Sequence, residues 1–216
     1  MPWCRSICRN RRLVILPTPS PTRTWKFDVS VNKSAPPLLT KVLYLDTETT
    51  GLDEGAEIIE IAILDVTGNV LLDSLVKPTS PISDAASKVH GIMMPMLDDA
   101  PSWKQLACKV KTLLDGQIVV AHNAEFDARM ILQSCLKYGV TGPANVQWIC
   151  TMKILTTTNG GKWPSLSQAR ALLRDPILES NPDNLHRARH DAEVCRKIHQ
   201  ALLLEQPELS GLHHHC

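Results

Sequence analysis

The sequence has no run of about 18 apolar residues, the length a membrane-spanning helix needs, so no membrane anchor is expected. It has no CxxC pair, which excludes a zinc ribbon and a thioredoxin-type redox site. Its seven cysteines are odd in number and irregularly spaced, which argues against a disulfide framework. Reduced thiols, and hence a cytoplasmic setting, are the expectation. No internal repeat is visible. The short apolar run Leu13-Val14-Ile15-Leu16 is too brief for the hydrophobic region of a secretory leader. What remains is ordinary for a globular protein: 44% hydrophobic and 21% charged residues. At 216 residues the chain suits one sizeable domain with some tail.

The net charge of +1 conceals an asymmetry. Residues 1–41 carry eight Lys/Arg and a single acid, Asp28, whereas residues 42–216 carry 15 Lys/Arg and 21 acids. Residues 1–40 lack core periodicity and are broken by Pro17, Pro19, Pro21, Pro36 and Pro37. They read as a disordered basic extension. The domain is expected over residues 41–205, followed by a tail at 206–216 whose terminal His213-His214-His215-Cys216 needs no metal. An acidic body is an unusual partner for nucleic acid. If it handles one, bound cations must offset the carboxylates locally.

Within the body, residues 42–45 (Val-Leu-Tyr-Leu) read as a buried strand running into Asp46-Thr47-Glu48. Side chains alternate along a strand, so Asp46 and Glu48 share one face and Thr47 takes the other. Thr49-Thr50-Gly51 turns the chain, with Gly51 read as a conformational need. Residues 58–66 and 70–76 read as strands joined by a Thr67-Gly68-Asn69 hairpin, making an antiparallel meander. Glu57 and Glu60 read as acids on a partly exposed strand. Ser83 caps a short helix ending near His90-Gly91, and Ser102 caps one running to about Leu114. Residues 117–121 form a buried fourth strand, parallel to its neighbour. A helix opens at His122-Asn123-Ala124-Glu125-Phe126-Asp127 and runs to about Tyr138, with Phe126, Met130, Ile131 and Leu132 as its core face. A fifth strand is expected at 146–150, then helices at 165–173 and 187–204. Trp103 and Trp163 read as packing anchors. Strand and helix alternating after a meander indicates an α/β fold with a mixed sheet.

Four acids therefore stand at strand ends or helix starts: Asp46, Glu48, Asp127 and Asp191. Taken alone, Asp46 and Glu48 are compatible with two solvated acids, a shared proton or a bound cation. Four converging carboxylates favour cations. Two divalent ions about 3.5–4 Å apart would balance them and serve phosphodiester cleavage. All-oxygen ligands suit Mg²⁺ or Mn²⁺ rather than zinc. His186, just before the last helix, has a side chain suited to take a proton from an attacking water. The alternative is an ordinary surface or core histidine.

Together, Asp46-Thr47-Glu48-Thr49-Thr50-Gly51, then His122-Asn123-Ala124-Glu125-Phe126-Asp127, then His186 with four residues before Asp191, resemble the three exonuclease motifs of the DEDD superfamily in its histidine-bearing (DEDDh) branch. That branch includes the proofreading epsilon subunit of DNA polymerase III, exonuclease X, ribonuclease T and oligoribonuclease. The resemblance spans roughly residues 41–205. It implies an RNase H-like fold of five strands in the order 3-2-1-4-5 flanked by helices. It also implies 3′→5′ removal of terminal nucleotides as 5′-monophosphates by a two-metal mechanism. Asp46, Glu48, Asp127 and Asp191 carry over as ligands of two Mg²⁺ or Mn²⁺ ions, and His186 as general base. Thr49, Thr50, Gly51, Leu52, His90 and Asn123 carry over as substrate-contacting positions. The implied substrate is a single-stranded or frayed 3′ end of DNA; the alternatives are a ribonuclease T-like RNA 3′-end exonuclease and a polymerase-associated subunit acting mainly by binding, and a DNA polymerase or sliding clamp is the expected macromolecular partner. Gln206-Pro207-Glu208-Leu209-Ser210-Gly211-Leu212 loosely resembles clamp-docking peptides. One departure stands out: His190 directly precedes Asp191. A helix turns about 100° per residue, so His190 is expected to face away from Asp191 as a bystander.

Overall fold

A computed structural model describes residues 41–158, 161–172 and 186–205. The basic extension and the C-terminal tail, with its clamp-like peptide, lie outside these. Five strands, β1 (Val42–Thr49), β2 (Ile58–Asp65), β3 (Val70–Leu75), β4 (Ile118–Ala121) and β5 (Gln147–Cys150), form one sheet in the order β3-β2-β1-β4-β5. β2 pairs antiparallel with both β1 and β3, while β4 runs parallel to β1 and β5. This is the expected meander continued by parallel strands. The β2–β3 turn is held by the Asp65 carboxylate, which accepts from the backbone and side chains of Thr67 and Asn69. Gly68 supplies the left-handed residue there, with φ +89°.

The strand alternation of β1 assigns its two faces. Leu43 and Leu45 point into the larger core with Ile61, Ile63, Val119, Met130 and Ile131. Helices α2 (Trp103–Leu114) and α3 (Ala124–Lys137) cover that face. α2 buries Trp103, Ala107, Val110 and Leu114, a stripe at helical spacing, and is started by a Ser102/Gln105 capping box. In α3 the buried positions are Ala124, Asp127, Met130, Ile131, Ser134 and Cys135, whereas Leu132 falls off that stripe and is exposed. The expected core role of Leu132 is thus corrected.

Tyr44 occupies the opposite face with Ala62, Leu64 and Val120. There the last helix, α6 (Ala188–Glu205), lays down Ala188, Ala192 and Cys195. Small side chains let the helix approach the strands closely. A leucine at Ala192 would force it outward, at about 1–3 kcal/mol, and would carry Asp191 with it. Further along, Tyr44 Oη meets His199 Nδ1 at 3.0 Å.

The described residues also form the smaller helices α1 (Asp84–His90), α4 (Thr151–Thr158) and α5 (Leu166–Leu172), and a 3-10 turn at Met94–Leu97. α1 is capped by Ser83 Oγ, which accepts from Ala86 N–H, and ends on Gly91 at φ +69°. α4 was not expected. Its sequence is rich in β-branched residues, and what holds it is packing: Leu155 buries against Ala169, Val194, Ile198 and Leu202. Trp163 corrects a second expectation, being 59% exposed, while Trp103 is the buried anchor expected of it.

Candidate active site

Asp46 and Glu48 leave the end of β1 on the face that α6 covers, and Asp191 sits in the first turn of α6. Each offers a carboxylate oxygen, and these oxygens lie within 4.8 Å of one another. Asp127 arrives from α3 on the other face, where its carboxylate accepts from Thr47 Oγ1 at 2.8 Å. The alternation of β1 thus serves both sides: Asp46 and Glu48 meet α6 while Thr47 secures the acid from α3.

Burial sets the electrostatics, and for Asp46 and Glu48 neighbouring carboxylates add to it. Burial, reinforced by Asp127, Asp191, Glu48 and Glu60, pushes Asp46 well above the usual carboxylate range. Burial with Asp191, Glu60 and Asp127 pushes Glu48 up to about 9, with Arg187 pulling the other way. Burial raises Asp127 to about 7 despite the hydrogen bond from Thr47. Carboxylates arranged so that protons are held this tightly fit a divalent cation in place of those protons. An all-oxygen donor set suits Mg²⁺ or Mn²⁺.

His186 is exposed and sits at φ +62°, a left-handed conformation that costs a non-glycine residue roughly 1–2 kcal/mol. Its Nδ1 lies 4.0 Å from Asp191 Oδ2. His190 does not face away as expected. Its Nδ1 reaches back to Asp191 Oδ1 at 3.1 Å, because a hydrogen bond between adjacent side chains needs a suitable rotamer rather than a shared helix face. Asp191 is therefore flanked by two imidazoles.

Hydrogen bonds tie down the turn after β1. Thr49 Oγ1 donates to Gly51 O at 2.7 Å, Thr50 Oγ1 accepts from Glu57 N–H at 2.9 Å, and Ser83 N–H donates to Thr50 O at 2.9 Å. Gly51 is not in the left-handed region, and a Cβ there would meet its nearest neighbour, Asp53 Oδ2, at an ordinary 3.6 Å. The conformational need expected of it is absent. Leu52 projects outward, 77% exposed. His90 is buried, with Nδ1 accepting from Ile92 N–H at 3.0 Å, so in the neutral ring Nε2 carries the proton toward Thr49 O at 3.2 Å. Both its nitrogens hold backbone. Asn123 is exposed at φ +72° and starts α3, its carbonyl accepting from Phe126 N–H at 2.8 Å.

Three residues near the site escaped the sequence reading. His122 ties the end of β4 to the segment before α5, with Nε2 on Pro164 O at 3.0 Å and Nδ1 on Thr151 Oγ1 at 2.9 Å. Glu60, read as partly exposed, is 3% exposed and grips Arg187 of the third motif. The signal for Glu60 was a lone charge among Ile58, Ile59 and Ile61, which in a buried strand demands a partner. Glu57 is likewise buried, so both surface readings are corrected.

The exonuclease family model of the RNase T type matches residues 43–199, which includes all three motifs. An uncharacterized exonuclease of Escherichia phage 186 is 36% identical over 141 residues, 60% of this chain and 73% of that protein. Exodeoxyribonuclease 10 of Escherichia coli K12 is 33% identical over 172 residues, 77% of this chain and 69% of that one. Among solved structures, exonuclease X in complex with 5′ overhanging duplex DNA superposes with a TM-score of 0.60 at 28% identity, covering 77% of this chain and 93% of that one. With its strand order, its acid cluster and these relatives, the chain belongs to the exonuclease family, in the DEDDh 3′→5′ branch whose motifs it carries in order.

Proposed function

We propose that this protein removes nucleotides from the 3′ ends of DNA, releasing 5′-monophosphates, in a proofreading or repair capacity. The observation that carries the reading is the convergence of Asp46, Glu48 and Asp191 oxygens within 4.8 Å, with buried Asp127 beside them. These four would hold two Mg²⁺ or Mn²⁺ ions. When bound, such ions supply charge stabilisation for the phosphodiester and a water of lowered pKa. His186 acts as general base. Its Nδ1 is turned toward Asp191, which leaves Nε2 to accept the proton of the attacking water. Its exposure gives the ring room to reach that water. Thr49, Thr50, Gly51, Leu52, His90 and Asn123 form the floor for the terminal nucleotide. Of these, exposed Leu52 is the natural apolar contact for a base, while His90 acts by fixing Thr49.

DNA is favoured over RNA because the relatives named exodeoxyribonuclease 10 and exonuclease X, in its DNA complex, share about three-quarters of the chain. A polymerase as partner rests on the likeness to the epsilon subunit, and a sliding clamp on the sequence of Gln206-Pro207-Glu208-Leu209-Ser210-Gly211-Leu212. The excess of Lys/Arg over residues 1–41 strengthens nucleic-acid binding. No helix among the described residues is long and apolar enough to cross a membrane, and a cytoplasmic location is part of the proposal.

Degradation of matched 3′-labelled and 5′-labelled DNA and RNA oligomers, with and without Mn²⁺, tests the reading. The expected result is metal-dependent release of labelled mononucleotide from 3′-labelled DNA first. Attack from the 5′ end, or full activity in chelator, would overturn it. Faster loss of the RNA would replace DNA with RNA as substrate.

A further inference from the structure

We propose that Glu60 and Arg187, neither of them a metal ligand, form a clamp that positions both functional groups of the third motif; the inference rests on reading the site as a nuclease centre. Glu60 stands directly opposite Glu48 in the β1–β2 ladder and points to the same face, toward α6. The two glutamates differ in what meets them. Glu48 faces other carboxylates. Glu60 accepts from Arg187 NH2 at 2.6 Å and from Arg187 Nε at 3.0 Å, while its second oxygen accepts from Ala188 N–H at 3.0 Å. Its oxygens are thus committed, and it is unavailable to a cation.

The Ala188 N–H is one of the four donors that a helix start leaves without an intrahelical partner. One buried carboxylate therefore secures a side chain and a backbone group of consecutive residues where α6 begins. His186 lies immediately before this grip, held at φ +62°. Asp191 lies one turn after it, and its N–H donates to Arg187 O at 3.0 Å. The backbone pivot from which both groups project is thereby fixed to β2, the strand beside the one that carries Asp46 and Glu48. The guanidinium presents Nε and NH2 together, a planar fork that an ammonium group cannot reproduce.

The test is a double-mutant cycle of Glu60→Gln, Arg187→Gln and the pair, with Arg187→Lys alongside. Glu60→Gln keeps the side chain's size and an acceptor for Ala188 N–H, so the fold is retained. Mn²⁺ binding is measured by calorimetry without nucleic acid, and kcat and KM on a 3′-labelled oligomer. Each single glutamine variant should lower kcat and Mn²⁺ affinity by about 10–100-fold, the usual effect of removing a group that orients a ligand. KM should stay within about threefold. The double variant should lose about as much as the worse single one, because the two act as a unit. Arg187→Lys should recover less than half of the loss on a logarithmic scale. A change in KM alone would mean that Arg187 grips nucleic acid itself, and the clamp would be wrong. A lowered melting temperature with kcat and Mn²⁺ affinity intact would reduce the pair to a brace of the fold, which also overturns it. If the parent protein degrades no oligomer while Mn²⁺ affinity falls as stated, the nuclease reading fails and the clamp stands. If the parent degrades DNA and the variants equal it, the clamp alone fails.

Discussion

Glu57, which is buried, and Glu48, which is half-buried, are both acids of the meander, and their acidities move in opposite directions. Burial alone would raise Glu57. Its carboxylate, however, accepts from Lys137 Nζ at 2.7 Å, Tyr138 Oη at 2.6 Å, Thr79 Oγ1 at 2.9 Å and Ser80 N–H at 2.8 Å, and these donors bring it down to about 2. Glu48 has no such donors: burial raises it, Asp191, Glu60 and Asp127 add to the rise, and it reaches about 9. A buried acid given donors serves the architecture. A buried acid given more acids is incomplete, and a divalent cation is what completes it.

The sharpest way to break this contrast is to remove the cation or one of its ligands. Chelation should abolish turnover, and Mg²⁺ or Mn²⁺ should restore it. Asp46→Ala, Glu48→Ala, Asp127→Ala or Asp191→Ala should each cost at least about 10²-fold in turnover while the fold survives. Stability should report the same thing. Glu48 holds its proton in the folded chain to about 9 against an ordinary 4.5, so without cation the folded state binds more protons than the unfolded one. Metal-free stability should fall as pH rises from 4.5 toward 9, and Mn²⁺ should raise the melting temperature more at pH 8 than at pH 5. A metal-free melting temperature that climbs over this interval would contradict the assignment.

Next comes the general base. His186→Ala should lower turnover by about 10²–10⁴-fold at saturating Mn²⁺ and leave Mn²⁺ binding nearly intact. Were His190→Ala the inactive variant instead, the third motif would be misaligned.

On the architectural side of the contrast, Glu57→Ala should cost about 3 kcal/mol in urea unfolding, since it takes the acceptor from Tyr138 Oη, Thr79 Oγ1 and the N–H groups of Thr79 and Ser80, with turnover per folded molecule unchanged. The sign for Glu57 is the reverse of that for Glu48. A folded value near 2 against an ordinary 4.5 contributes stability above pH 4.5 that is lost as pH falls through 2. The wild-type protein should therefore lose more stability on acidification below pH 4.5 than Glu57→Ala does. The smallest expected effect is that of His190→Ala, within about tenfold in turnover, read beside His186→Ala under the same conditions.

Much of this protein is determined by its sequence alone. Strand alternation assigned Asp46 and Glu48 to one face, capping residues marked the starts of α1 and α2, and motif order identified the family. These signals are local, carried by neighbouring residues whose chemistry does not depend on what packs against them. Tertiary structure decided the rest. Glu57 and Glu60 looked alike in sequence and like surface acids, yet the donors that make them structural come from residues 79, 80, 137, 138 and 187. The helix over Thr151–Thr158 exists because α6 and α5 cover it, against the preference of its own residues. His190 reaches Asp191 through a rotamer, which sequence spacing does not specify. Three acids become one site only because Ala188, Ala192 and Cys195 let α6 come down onto the strands at the height of Asp46 and Glu48. Distance along the chain says nothing of that approach; it is set by the volume of side chains packed between helix and sheet.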